Sequence, residues 1–200
     1  MNTTAGRPRQ FDRDSALEKA MLLFWERGYD AVSVRDLTAV MGIASPSLYG
    51  AFTGKETLFL EAVEVYASQY GSYIQEAIDD EPTAYRVVER FLLQSAIQST
   101  LMGRPAGCLI LNGATNYTPG SEGVAERLRQ RRADTVARIE QVIAIDVAKG
   151  ELPEETDSGS LAAFTATVWQ GLAQLARDGR PRRDLESAVS MAMQAWPKKP

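Results

Sequence analysis

Ser33-Val34-Arg35-Asp36-Leu37-Thr38-Ala39-Val40-Met41-Gly42-Ile43-Ala44-Ser45-Pro46-Ser47-Leu48-Tyr49-Gly50-Ala51-Phe52-Thr53-Gly54-Lys55-Glu56 marks several helix boundaries in succession. Ser33 and Asp36 have the spacing of a capping box and open a short helix ending near Met41. Gly42-Ile43-Ala44 forms a three-residue turn, with Gly42 at the helix end where a left-handed residue is easiest to place. Ser45 and Pro46 then stand as cap and first helical residue of a second short helix, reaching about Phe52. Thr53 and Glu56 repeat the capping-box spacing and start a long helix that runs towards Asp79.

Working outward, Asp12 is a good cap for a helix that runs to Arg27 and stops at Gly28. Leu17, Ala20, Met21 and Phe24 fall at i, i+3, i+4 and i+7, so this helix buries one face. Phe11 and Ala16 stand where a hydrophobic staple would fix its start. Beyond residue 80, Pro and Gly clusters separate helical periodicity over 83–101, 107–116, 121–149, 158–178 and 183–196. Strand-like alternation is rare. The expected fold is all-α, with a three-helix helix-turn-helix domain over 1–54 and a larger helical bundle over 55–200.

Composition narrows the chemistry. The 200 residues include no histidine and one cysteine, Cys108. That excludes histidine-activated nucleophiles, histidine-ligated zinc and internal disulfides. No Gly-x-Ser-x-Gly elbow or Ser-x-x-Lys pattern occurs. Residues 50–56 fall one short of a phosphate-binding loop, carry Glu56 where a hydroxyl should hold magnesium, and follow no strand. The expectation is a protein without enzymatic activity, metal or cofactor. No apolar run is long enough to span a bilayer and no secretory signal is evident, so a cytoplasmic location is expected. The net charge is −4, yet residues 1–60 hold seven basic and seven acidic side chains, so the acidic excess lies in the remainder.

Two short helices joined by a tight turn are the signature of a motif that lays its second helix in the DNA major groove. Ser45, Ser47 and Tyr49 sit at the start of that helix, where side chains reach base edges and phosphates. Lys55 and Arg35 lie in first helical turns, where a cation is unfavourable for the helix dipole unless an anion approaches. A phosphate supplies that anion. Taken singly, each is equally an ordinary cap or surface charge.

Phe24-Trp25-Glu26-Arg27-Gly28-Tyr29, Ser33-Val34-Arg35-Asp36-Leu37, Gly42-Ile43-Ala44, Ser47-Leu48-Tyr49 and Phe52-Thr53-Gly54-Lys55-Glu56-Thr57-Leu58-Phe59 resemble, in order and spacing, the N-terminal domain of tetracycline-repressor-like (TetR-type) bacterial transcription regulators. The resemblance covers about residues 7–60. It implies an all-helical homodimer that binds a palindromic double-stranded operator and releases it when a small-molecule effector binds. By position it implies phosphate contacts from Ser33, Tyr49, Thr53 and Lys55, and a groove-facing set of Arg35, Ser45, Pro46, Ser47 and Gly50. Gly50 departs from the larger residue many relatives carry, which shifts base reading towards Arg35 and Ser47. Arg7, Arg9 and Arg13 form a basic arm that such proteins use to follow the backbone or enter the minor groove.

The second half is read from helical faces. An apolar effector pocket with a few polar groups has as candidates Tyr66, Phe91, Met102, Cys108, Asn112, Tyr117, Phe164, Trp169 and Gln170, each of which is also plain core material. Cys108 reads as a small buried hydrophobe; the alternative is a redox- or metal-responsive regulator sensing through its thiol. Leu161, Val168, Leu172 and Leu175 form one stripe, and Leu185, Val189, Ala192 and Trp196 another. Together they are candidates for a four-helix dimer seam or for burial within one chain. Arg127, Arg129, Arg131, Arg132 and Arg138 read as a solvated helix face, or as a site for an anionic effector.

Overall fold

Asp12 caps the first helix as expected. Its carboxylate accepts hydrogen bonds from the Asp14 and Ser15 amides at 3.1 Å, and α1 runs Arg13–Arg27. A computed structural model describes residues 11–197. Arg7 and Arg9 lie outside the described residues. Gly28 ends α1 at φ 80°, in the region that favours glycine. Phe24, Trp25 and Met21 are fully buried, each worth roughly 1.5–3 kcal/mol relative to exposure.

The Ser33–Asp36 capping box forms with both bonds: the Asp36 amide donates to Ser33 Oγ at 3.1 Å and the Ser33 amide to the Asp36 carboxylate at 2.9 Å. It opens α2, Val34–Met41, and Gly42 closes it in the left-handed conformation. The next helix, α3, Ser45–Phe52, differs by one residue from the sequence reading. Ala44 is its cap, extended at φ −80° and ψ 153°, and Ser45 and Pro46 occupy the first turn. The Ala44 carbonyl accepts the Ser47 and Leu48 amides, so the Ser45 hydroxyl is not drawn into capping.

The second capping box does not form. Thr53 is spent on ending α3: it adopts φ 64°, and its amide donates to the Tyr49 carbonyl. Gly54, extended, precedes α4 with no side-chain cap. The long helix expected from Lys55 to Asp79 is two: α4, Lys55–Tyr70, and α5, Tyr73–Asp80. The break falls at Gly71, whose missing side chain would meet the Ala67 carbonyl oxygen at 3.0 Å. Helix α6 is Ala84–Ser99, and the segment read as helical over 107–116 keeps a single turn, α7, Leu109–Asn112. The remaining helices are α8, Glu122–Ala148, α9, Ser158–Arg177, and α10, Arg182–Gln194.

One hydrophobic core runs through the described chain. Helix α4 belongs to both halves, because Phe59 stacks edge-on against Phe24 of α1 at 5.0 Å, while Tyr66 turns into the bundle. In the bundle α9 packs on α6 and α8, and α10 on α6. Asp146 of α8 is buried and accepts the Ala84 amide at 2.6 Å, so one helix caps the start of another 62 residues away.

Candidate DNA-binding face and bundle core

Leu37 and Met41 of α2, and Leu48 and Phe52 of α3, are buried against α1 and α4. This anchoring turns the opposite faces outward. Ser33, Arg35, Ser45, Pro46, Ser47, Tyr49, Gly50 and Thr53 are all exposed, and Lys55 is half-buried. Tyr49 is 52% exposed, unusual for an aromatic ring without a partner surface. Helix α3 carries no charged side chain. Its outer face therefore offers neutral hydrogen-bonding groups, flanked by the cations Arg35 and Lys55. A side chain at Gly50 would meet open space, so the small residue leaves a gap on this face rather than relieving a clash.

Two of these residues are engaged within the chain. The Ser33 hydroxyl donates to the Asp36 carboxylate at 2.5 Å, and that bond, first among several, holds the Asp36 carboxyl below its ordinary value. Lys55 rests its ammonium 4.1 Å from the centre of the Tyr29 ring. Burial there pulls its pKa down, and the Asp30 carboxylate opposes that pull. Arg13, read as part of the basic arm, is placed otherwise. It pairs with Glu61 at 2.5 Å and stacks on Phe52 at 4.4 Å, clamping the end of α3 onto α4.

Next to Lys55 the two halves of the chain are tied. The Tyr29 amide donates to the Gly113 carbonyl at 2.7 Å, and a side chain at Gly28 would come within 3.2 Å of the same oxygen. Asp30 accepts the Thr118 amide and the Ser121 hydroxyl, both at 2.6 Å. Burial raises the Asp30 pKa, but the bonds from Ser121 and Thr118, with the Lys55 charge, outweigh it and hold the carboxyl below its usual value. Nothing in the local sequence marks Asp30, since its partners lie 88 and 91 positions away.

The pocket candidates divide. Tyr66, Phe91, Cys108 and Trp169 are buried, and Asn112 is half-buried, its side-chain oxygen accepting the Cys108 amide at 3.3 Å. Phe91 lies 5.4 Å from Trp169. Met102, Tyr117, Phe164 and Gln170 lie on the surface instead, with Met102 97% exposed in the turn after α6. Two neighbours of Phe91 escape a reading by apolar faces. Tyr73 of α5 stacks on Phe91 at 5.8 Å, and Ser95 is buried one turn beyond Phe91 on α6. Ser95 did carry a signal: a polar residue on the stripe Ala84, Val88, Phe91.

This part of the core favours neutral groups. Burial pushes the Cys108 thiol, the Tyr66 hydroxyl and the Tyr73 hydroxyl above their ordinary values. Ser95 and Trp169 approach the Tyr73 hydroxyl closely enough to restrain that rise. Neither reaches it with hydrogen-bond geometry, and Ser95 Oγ and Trp169 Nε1 remain buried without a partner. Tyr66 also packs edge-on against Trp25 of α1 at 4.8 Å, which links this part of the bundle core to the N-terminal half. A separate groove of about 780 Å³ between α6 and α10 contains none of the pocket candidates.

The arginines of α8 are mostly paired: Arg129 with Glu126, Arg131 with Glu64, and Arg138 with Gln75. Arg132 is half-buried and donates to the Ile110 carbonyl at 2.8 Å. Among the described residues, no cluster of Cys, Asp and Glu could hold a metal ion, and no helix is long and apolar enough to cross a membrane.

The seam candidates divide too. Leu172, Leu185, Val189, Ala192 and Trp196 pack inside their own chain, against α6 and neighbouring helices, so they form no outward seam. Leu161 and Val168 are half-buried. The outward apolar stripe is Phe164, Val168, Gly171 and Leu175 on α9, beside Met191 on α10, which is 65% exposed.

The profile of bacterial regulatory proteins of the tetR family matches residues 16–62, and a tetracyclin repressor-like C-terminal domain matches residues 89–192. The HTH-type transcriptional repressor ComR of Escherichia coli (strain K12) is 33% identical, the match covering 96% of this chain and 92% of that protein. The HTH-type transcriptional repressor BdcR of the same organism is 30% identical over 95% and 91%. Among solved structures, a cysteine mutant of the TetR family transcriptional regulator CifR, complexed with 26bp double-strand operator DNA, superposes with a TM-score of 0.91. It is 41% identical, with 96% of this chain and 100% of that chain covered.

Proposed function

The chain belongs to the tetR family of bacterial regulatory proteins, and on that premise we propose that it is a cytosolic transcriptional repressor without catalytic activity. It grips a palindromic operator as a homodimer and releases it when a small molecule enters the C-terminal bundle. The functional division is 1–54 for DNA and 55–200 for effector and dimerisation, although the two share one core through α4. The observation that carries this reading is the exposed, uncharged face of α3 between Arg35 and Lys55. Arg35 and the neutral hydroxyls on α3 read base edges, while Lys55, Tyr49 and Thr53 hold phosphates. Dimerisation runs through Phe164, Val168, Leu175 and Met191.

Effector binding shifts a population between two arrangements, and its leverage equals its difference in affinity for them. Two physical connections carry the bias: Tyr66 against Trp25, and Asp30 against Thr118 and Ser121. Sensing through the Cys108 thiol is disfavoured, because burial keeps it protonated and out of reach of oxidants.

The test is a salt titration of binding to the DNA upstream of the protein's own gene, with Lys55→Ala beside the wild type. Each lost phosphate contact flattens the slope of log K against log salt by about 0.9, or about 1.8 for a dimer. An unchanged slope removes Lys55 from the phosphate-contacting set. Failure of the wild type to bind any such DNA overturns the proposal.

A further inference from the structure

Among the described residues Lys55 enters no salt bridge; its half-buried ammonium is held by the Tyr29 ring, 4.1 Å away, and by the charge of Asp30. Neither support stands alone. The Tyr29 ring packs edge-on against Phe59 at 5.0 Å and stacks on Phe24 at 6.2 Å, and its amide donates to the Gly113 carbonyl at 2.7 Å. Asp30 uses both carboxylate oxygens on the far turn: Oδ2 accepts the Thr118 amide, and Oδ1 the hydroxyl of the buried Ser121. Ser121 leads into α8. In the first turn of that helix a side chain at Gly123 would lie 3.7 Å from Oε1 of Glu56, the neighbour of Lys55. The groups around the ammonium are thus hung on residues 113–121 and on the start of α8.

We propose that Asp30 and Tyr29 are positioning residues for Lys55: bonded to the 113–121 turn, they hold its ammonium where it meets a DNA phosphate, so this turn governs the grip on the backbone. This rests on the reading of Lys55 as a phosphate contact and names what regulates that contact. An anion beside a phosphate-binding cation repels the phosphate, so by charge alone Asp30 opposes DNA binding. Its bonds act the other way. They fix the Tyr29–Asp30 segment, and with it the ring under the ammonium, so a long side chain is already ordered when the phosphate arrives. Charge and bonds therefore predict opposite signs for the loss of Asp30, and a conservative substitution separates them. Asparagine has no charge, yet its oxygen can accept the Thr118 amide while its amide group donates to the Ser121 hydroxyl.

The experiment is a salt series of binding by the full chain to the DNA upstream of its own gene, for wild type, Lys55→Ala, Asp30→Ala, Asp30→Asn and the Lys55→Ala, Asp30→Ala pair. Asp30→Ala should bind about tenfold more weakly at low salt and flatten the slope of log K against log salt by about 0.9–1.8, approaching Lys55→Ala. The gap from wild type should narrow as salt rises, and adding Lys55→Ala should flatten the slope little further. Asp30→Asn should restore the wild-type slope and bind at least as tightly as wild type. Asp157→Ala removes a bonded carboxylate from the cap of α9 and should keep the wild-type slope. If Asp30→Ala loses its helical circular dichroism, Ser121→Ala is read instead and should flatten the slope by about half as much. Tighter binding by Asp30→Ala, a wild-type slope in it, an Asp30→Asn as flat as the alanine variant, or a flattened Asp157→Ala overturns the proposal. A wild-type slope in Lys55→Ala overturns the phosphate reading and the proposal together; a flattened Lys55→Ala beside an unchanged Asp30→Ala overturns the positioning alone.

Discussion

Replacing Asp30 by alanine removes two hydrogen bonds that join the N-terminal half to the turn before α8. In the structure its carboxylate accepts the Thr118 amide and the Ser121 hydroxyl, each at 2.6 Å. Bonds to a charged acceptor contribute about 1.5–3 kcal/mol each when well shielded. Asp30 is half-exposed, and water replaces part of what is lost, so the expected cost is about 1–2 kcal/mol in all. For a chain of this size that is a fall in Tm of about 2–8 °C. The pH dependence has a definite sign. The folded carboxyl titrates below its unfolded value of about 3.9, so its stabilisation is complete above that pH and fades as pH falls through the folded value. Urea unfolding of wild type and Asp30→Ala at several pH values should show a gap that is constant near neutrality and closes below about pH 4. Hydrogen exchange should show the Thr118 amide losing protection in the variant. A variant as stable as wild type at neutral pH, with Thr118 still protected, would refute the argument that this carboxylate ties the two halves.

Thr53 is β-branched and held at φ 64°, a conformation that costs a side-chain-bearing residue about 1–2 kcal/mol. Thr53→Gly should raise stability in urea by about 0.5–1 kcal/mol after the flexibility of glycine is counted, while weakening operator binding through loss of the hydroxyl. Phe164→Glu with Met191→Glu should convert a dimer to a folded monomer by size-exclusion light scattering. Leu185→Ala, aimed at a side chain buried within the chain, should instead cost about 2–5 kcal/mol of stability. A dimer that survives the two glutamates would remove the α9–α10 stripe from the interface.

The helix-turn-helix was legible because its boundaries rest on local chemistry. Ser33, Asp36 and Gly42 act within three or four residues of themselves, and each does in the structure what its type and spacing predict. Where reading failed in this region, two local rules competed for one residue. Thr53 could cap the helix ahead or end the one behind, and it ends α3 because its amide is within reach of Tyr49. Gly71 posed the same problem: glycine inside a periodic apolar pattern is compatible with continuation, and only the packing of Tyr66 and Tyr73 on different helices resolves it. The division of the long-range candidates was not legible at all. Leu175 and Leu172 share one helical pattern, yet one is outward and the other fully buried, because a stripe does not say which neighbour covers it.

By itself the amino-acid sequence determined the helical class, the paired short helices and the capping box that opens the first of them. Those depend on contacts between near neighbours along the chain, where spacing alone sets geometry. Tertiary structure decided the rest. It assigned Arg13 to a clamp rather than an arm, gathered Tyr73, Ser95 and Trp169 at one place in the bundle core, and set Asp30 against Thr118 and Ser121. Each of these joins residues tens of positions apart, and such contacts exist only once the helices have packed.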